Sequence, residues 1–294
     1  MQIYTEVITV AKAARCLKPK QSEFQKLFST LCHTRSNWQV WSDFITISAT
    51  AISNTFDREG PVHDGREKQY MELSGRYTKD EVDILARLLS IVVQALDDNP
   101  RQDFLGEVFQ GLGLNSHWKG QFFTPYHMCE FMAEIALGNV GAEIERKGWI
   151  GVNDPACGAG ALLIAARNAM EKRGLPSYGA LYVAQDIDRT AALMCYIQLA
   201  LLGCAGYVII GDSLLHPTTG HPLRPDPTPE LDVWYLPMFY EQTWHYRRLW
   251  HSLDTLLRSE RLPAAPKELP QPRQAVVMPA PAFSETAVGQ LTLF

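Results

Sequence analysis

The sequence predicts an α/β chain in three parts: an N-terminal helical domain over residues 1–100, a doubly wound sheet domain over 101–261 and a Pro-rich tail over 262–294. Three observations carry this. Apolar residues recur at helical spacing after Thr78. Between 149 and 214, short apolar runs ending in Gly or Asp alternate with helical stretches, the mark of a parallel sheet with helices on both faces. From Leu262 onward the chain holds six prolines and few large apolar residues before its last positions, so it cannot bury enough surface to fold and is expected to be disordered.

In the first part, Thr78 with Glu81 three residues later forms a capping-box start. Val82, Leu85, Leu88, Leu89, Val92 and Leu96 then lie on one helical face, and Asn99-Pro100 ends the helix. Ser22 to Asn54 reads as two helices, with Trp38 and Trp41 as core fillers rather than base-stacking groups. Residues 1–42 carry six basic side chains (Lys12, Arg15, Lys18, Lys20, Lys26, Arg35) against Glu6 and Glu23. That is either a weak DNA-facing edge or a solvated helical face.

Composition bounds the class. An apolar content of 46% is enough for a core, and a net charge of -5 argues against broad, non-specific DNA binding by the whole chain. Arg87 interrupts the best apolar run, Leu85 to Leu96, so no membrane span is expected, and no charged-then-apolar leader is present. Six cysteines without a C-x-x-C pair or ligand spacing point to free thiols in a reducing cytoplasm and to no metal site.

The most informative stretch is Asn153-Asp154-Pro155-Ala156-Cys157-Gly158-Ala159-Gly160. It follows an apolar lead (Trp149, Ile150, Val152) and opens onto Ala161 to Ala166, reading as strand, glycine turn and helix. The glycines let backbone pass close to a ligand, and free N–H groups at a helix start suit an anionic group. Leu181 to Asp186 is a second strand ending in an acid, suited to ribose hydroxyls. Tyr207 to Ile210 with Gly211-Asp212 repeats the pattern, and Gly120-Gln121-Phe122-Phe123-Thr124-Pro125 lies upstream.

These four words, in this order between about Asp103 and Phe239, resemble the N6-adenine DNA methyltransferases, specifically the modification (M) subunits of type I restriction systems. The resemblance implies an S-adenosyl-L-methionine-dependent methyltransferase-like domain acting on double-stranded DNA. It also implies that Phe123, Thr124, Pro125, Asp154, Pro155, Cys157, Gly158, Gly160, Asp186 and Asp212 line the cofactor pocket. In that family the glycine turn holds the methionine part, the second-strand acid the ribose, and the Gly-Asp acid the adenine, under the word ending Thr-Pro.

Methylating an exocyclic amine requires a flipped base and acceptors that orient the nitrogen. The family does this with Asn-Pro-Pro-Phe/Tyr after the fourth strand. Here Asp232 to Tyr235 is the expected fourth strand, followed by Leu236-Pro237-Met238-Phe239. Pro237 and Phe239 are the candidate catalytic remnants. Leu236 offers no side-chain acceptor, which places efficient methyl transfer in question and leaves two readings open. One is an active methylase working with a specificity-type subunit. The other is a catalytically weak relative that binds cofactor or DNA and regulates or competes with a modification system.

His216 to Glu230, with five prolines, reads as a loop, and Tyr240 to Arg261 as one helix covering a sheet edge. No room remains for the closing strands or a target-recognition domain, so the sheet is expected to be C-terminally truncated, ending early or completed by a partner chain. The last residues, Gln290-Leu291-Thr292-Leu293-Phe294, resemble the bacterial sliding-clamp binding peptide. There Gln290 bonds at a pocket rim while Leu293 and Phe294 plug an apolar pocket, with Leu291 a further partner-binding residue. That resemblance implies a clamp partner and a bacterial, phage or plasmid setting.

Overall fold

The computed structural model describes residues 18–114, 123–226, 228, 230–261, 283–285 and 291–293. The chain divides after His251 into two compact units. Among the described residues the first begins with five helices: α1 (Pro19–Leu31), α2 (Asn37–Phe56), α3 (Pro61–Ser74), α4 (Lys79–Asp98) and α5 (Phe104–Gly111). The capping box forms as expected: Thr78 Oγ1 accepts from Glu81 N–H, and Glu81 accepts from Thr78 N–H at 2.8 Å. Trp41, fully buried, packs among Phe24, Phe28, Phe44 and Phe109 with ring centroids about 6 Å apart, the geometry that adds edge-to-face attraction to apolar burial. Of the four N-terminal basic residues that are described, Lys18 pairs with Glu107, Lys20 with Glu23 and Arg35 with Glu81, while Lys26 is exposed. Lys12 and Arg15 lie outside the described residues.

The sheet follows through α6 (Tyr126–Leu137), α7 (Val140–Lys147), β1 (Ile150–Asp154), α8 (Ala161–Lys172), β2 (Ala180–Asp186), α9 (Arg189–Leu201) and β3 (Gly206–Ile210). A small hairpin, β4 (Thr219–His221) with β5 (Arg224–Asp226), precedes β6 (Asp232–Tyr235) and α10 (Gln242–Arg261). The hairpin departs from the expected loop. Leu223, buried at its turn, pins it to the sheet.

Strand order is β1-β2-β3-β6. The first three run parallel, with Asp154 opposite Ala184 and Asp186 opposite Ile210. β6 is antiparallel, with Tyr207 opposite Tyr235 and Ile210 opposite Asp232. One sheet face, carrying Tyr182, Ala184, Val208 and Trp234, belongs to the main core with the helices. α8 covers β1, and α9 covers β2 and β3. The other face carries Leu181, Val183, Tyr207 and Ile209 and is capped by Leu223, Leu231, Phe239 and Trp244. Trp244 starts α10 against this second core, with the Arg247 guanidinium 4.3 Å above its ring.

Helices and sheet share one core. α2 packs along α9, and buried Arg66 of α3 reaches Asp232 and the carbonyl of Val233 while stacking 3.7 Å over Trp234. The boundary expected at residue 100 therefore falls inside the first unit. In the second unit, β7 (Phe283–Glu285) pairs antiparallel with β8 (Leu291–Leu293), and the rest of the Pro-rich tail over 262–294 lies outside the described residues.

Candidate functional site

The glycine turn forms at the C-terminal end of β1. Asp154 Oδ1 accepts from the N–H of Ala156 at 3.1 Å, which folds the chain back on itself. Cys157 N–H donates to the carbonyl of Gln185 at 3.0 Å, tying the turn to β2. Gly158 N–H donates to Asp186 Oδ2 at 2.8 Å, and Asp186 Oδ1 accepts from Asp188 N–H at 2.8 Å. The acid that ends β2 therefore braces the turn from beneath. Gly158 and Gly160 adopt φ of +53° and +95°, which L side chains rarely take. A Cβ at Gly158 would lie 3.0 Å from the Phe123 ring, and one at Gly160 would lie 2.8 Å from Cys195 Sγ of α9. The first glycine admits a ring over the turn; the second admits the neighbouring helix.

Phe123, Thr124, Asp154, Cys157 and Gly158 meet around one cleft of about 260 Å³. Asp103 and Met132, which no sequence motif marks, also line it, whereas Gly160 and Asp186 are not among its lining residues. Asp103 caps α5, its Oδ1 accepting from Gly106 N–H at 2.9 Å and from Gln198 Nε2 at 2.8 Å. Gln198, fully buried mid-helix, also donates to the carbonyl of Ala159 and accepts from Leu105 N–H, so one amide locks α5, α9 and the turn together. Asp103 is legible as an N-cap; nothing in a mid-helix Gln marks it for this role.

Burial sets the electrostatics. It pushes the Asp103 carboxyl up to about 6, against the pull of its bonds from Gln198 and Gly106. It also raises Asp154, with the nearby Asp186 charge adding to the effect, and raises Asp186 against its backbone N–H donors. Two acids lining a partly dry cleft, with Asp186 beneath its turn, favour a ligand that brings positive charge or hydroxyl donors. Burial holds the Cys195 thiol far above its ordinary value, so it is no nucleophile. Among the described residues no three His, Cys, Asp or Glu side chains group as metal ligands. No described helix is long and apolar enough to cross a membrane.

The remaining candidates lie elsewhere. Pro125 is the N-cap residue of α6, its carbonyl accepting from Met128 N–H. Pro155 lies on the opposite sheet face, on a second cavity of about 350 Å³ shared with Gly151, Asn153, Val183 and Gln185. Asp212 caps its own turn, accepting from Leu214 and Leu215 N–H groups that hold its carboxyl below the usual range. Gln290 and Phe294 lie outside the described residues, and Leu291 and Leu293 are in β8.

Pro237 and Phe239 require a correction. Because β6 runs antiparallel to β3, the residues after Tyr235 emerge beside Gly206 and Tyr207, at the start of β3, while the glycine turn lies at the other end of the sheet. Leu236 N–H donates to the carbonyl of Gly206, and Leu236 is fully buried. Phe239 stacks on Tyr235 at 4.8 Å and meets Tyr207 edge-on, with Arg248 over its ring at 4.1 Å. Its ring is core, not a platform for a base. β6 is held in this direction at its start, where Asp232 pairs with Arg66 and Arg189.

Residues 102–252 match the family model of the N-6 DNA methylases. No curated protein and no solved structure matches the chain.

Proposed function

Because the chain belongs to the N-6 DNA methylase family, we propose that it is the cofactor-holding component of a DNA adenine-N6 modification system of the type I M kind, and that methyl transfer needs a partner subunit. The observation that carries this reading is the Gly158 cradle. The Phe123 ring lies over a backbone turn that a single Cβ would fill, with Asp186 bonded beneath it. S-adenosyl-L-methionine fits the donors present. Asp154 and Asp103 line the cleft for a ligand carrying an ammonium and a sulfonium, and Asp186, each of whose oxygens accepts one backbone N–H, keeps further lone pairs for ribose hydroxyls. When bound, it supplies an electrophilic methyl group. The chain's own residues bind and orient it, and Phe123 and Met132 keep water from one wall.

The adenine-holding device is not assembled at this site among the described residues, since Leu236 and Phe239 are buried in the core at the far end of the sheet. The chain alone then binds cofactor and transfers methyl poorly, and double-stranded DNA is engaged in the complex. The test is labelled methyl transfer to mixed-sequence DNA beside cofactor calorimetry. Binding without transfer supports the reading; efficient N6-methyladenine formation by the purified chain refutes it. The C-terminal Gln290 to Phe294 peptide is proposed as a sliding-clamp tether, on its sequence alone.

A further inference from the structure

β1 is the outer strand of its sheet, and among the described residues nothing pairs with its free side. An open edge is a row of unpaired N–H and C=O groups, and finished edges are blunted with charge, Pro or a bulge. β1 has no Lys, Arg or Pro between Ile150 and Asp154, and its Gly151 and Asn153 are exposed.

The flanks of this edge are also unfinished. On the helix side, α8 covers β1 and contacts α9, while α6 packs against α8 rather than on a strand. Met132 of α6 reaches the cleft at the end of β1, so α6 stands over the position just beyond that strand. It turns Met128, Phe131 and Ile135 outward, 45%, 63% and 65% exposed, at the spacing of one helical face. Monomers rarely leave such a run of large apolar groups in water. On the opposite side, an open cavity of about 350 Å³ runs beside Gly151 and Asn153, with Pro222 in its wall. An edge that needs hydrogen bonds is thus set between an apolar helix face and a groove.

We propose that this is a slot for a β-strand from a second, different polypeptide, alternately apolar, which pairs with β1 and lies under the exposed face of α6. The proposal rests on the reading of this chain as one component of a complex, and it locates the contact. A second copy does not fit. Strands pair about 4.8 Å apart, but packed helices need about 8–10 Å. Pairing β1 with β1 would bring the other copy's α8, seated over its own β1, into the space that α6 holds. The occupant is therefore a strand without a helix of its own on that face, which α6 covers instead. A strand running parallel to β1 would also end beside Asp154, the end of the sheet that Pro237 and Phe239 do not reach.

The probe is a short synthetic peptide of alternating valine and threonine with lysines at its ends, added to the full chain. Hydrogen exchange follows the amides of 150–154. In the free chain the outward-facing amides of β1 exchange much faster than those of β2, and the peptide slows them. Phe131→Glu with Ile135→Glu, at exposed positions outside the cleft, weakens the peptide at least about tenfold. Its S-adenosylmethionine titration matches the wild type, which separates this surface from the cofactor reading. Amides of β1 as protected as those of β2 in the free chain, or unchanged exchange with peptide at millimolar concentration, would overturn the proposal.

Discussion

In the ligand-free chain, replacing Asp103 by Asn removes a titration while keeping the two hydrogen bonds it accepts. Both donors to Asp103, the N–H of Gly106 and Nε2 of Gln198, meet Oδ1, which Asn retains. The wild-type carboxyl is fully buried and titrates near 6 against an ordinary 3.8. A folded-state value above the unfolded one means that the native protein keeps its proton longer. The resulting stabilisation is fully present below about pH 4, falls as pH rises and is gone above about pH 6. Two units correspond to about 3 kcal/mol, which for a chain of this size is roughly 6–12 °C in Tm. The assay is thermal unfolding of wild type and Asp103→Asn at intervals from pH 4 to 7.5. The difference between the two curves cancels Asp154, Asp186 and other acids common to both. The wild type should lose about 3 kcal/mol relative to the variant across this window. Parallel curves would show that Asp103 is ionised throughout and that the floor of the cleft is wetter than its burial implies.

Gly158→Ala sets a methyl against the Phe123 ring at a positive φ, so cofactor affinity should fall at least about tenfold while stability drops by about 1–3 kcal/mol, read by calorimetry and urea unfolding. Leu236→Asn restores the family's residue type but buries an unpaired amide in the core; it should cost about 3–5 kcal/mol and yield no methylation, and a gain of activity would show that the end of β6 lies at the active site after all. A peptide ending in Gly-Gln-Leu-Thr-Leu-Phe should bind purified bacterial clamp in fluorescence anisotropy and lose binding when Leu293 and Phe294 become Ala; no binding at high micromolar clamp removes the tether.

Much of the fold is legible because its signals are local. The α4 start follows from Thr78 and Glu81, and the turn at 154–160 from two glycines that no other residue could replace without meeting Phe123 or Cys195. The acid ending β2 is legible for the same reason, since a strand end beside a glycine turn has few neighbours to choose from. Strand direction is different. The stretch Asp232 to Tyr235 reads as a strand either way round, and only the tertiary pairs of Asp232 with Arg66 and Arg189, with Trp234 beneath Arg66, make it antiparallel. That reversal sends Phe239 into the core. Asp212 shows a second limit: an acid after a strand can serve a ligand or cap its own turn, and its Oδ1 caps. Gln198 is silent in the sequence because its three bonds reach residues about 40 to 95 positions away.

The central claim is that the braced glycine turn holds S-adenosylmethionine, and one titration tests it most directly. Calorimetry of the full chain with S-adenosylmethionine should give saturable heat for the wild type. Asp186→Ala, which strips the partners from the N–H groups of Gly158 and Asp188, should bind at least about tenfold more weakly while still unfolding cooperatively. No heat with the wild type at millimolar cofactor, or equal affinity in the variant, would contradict the account.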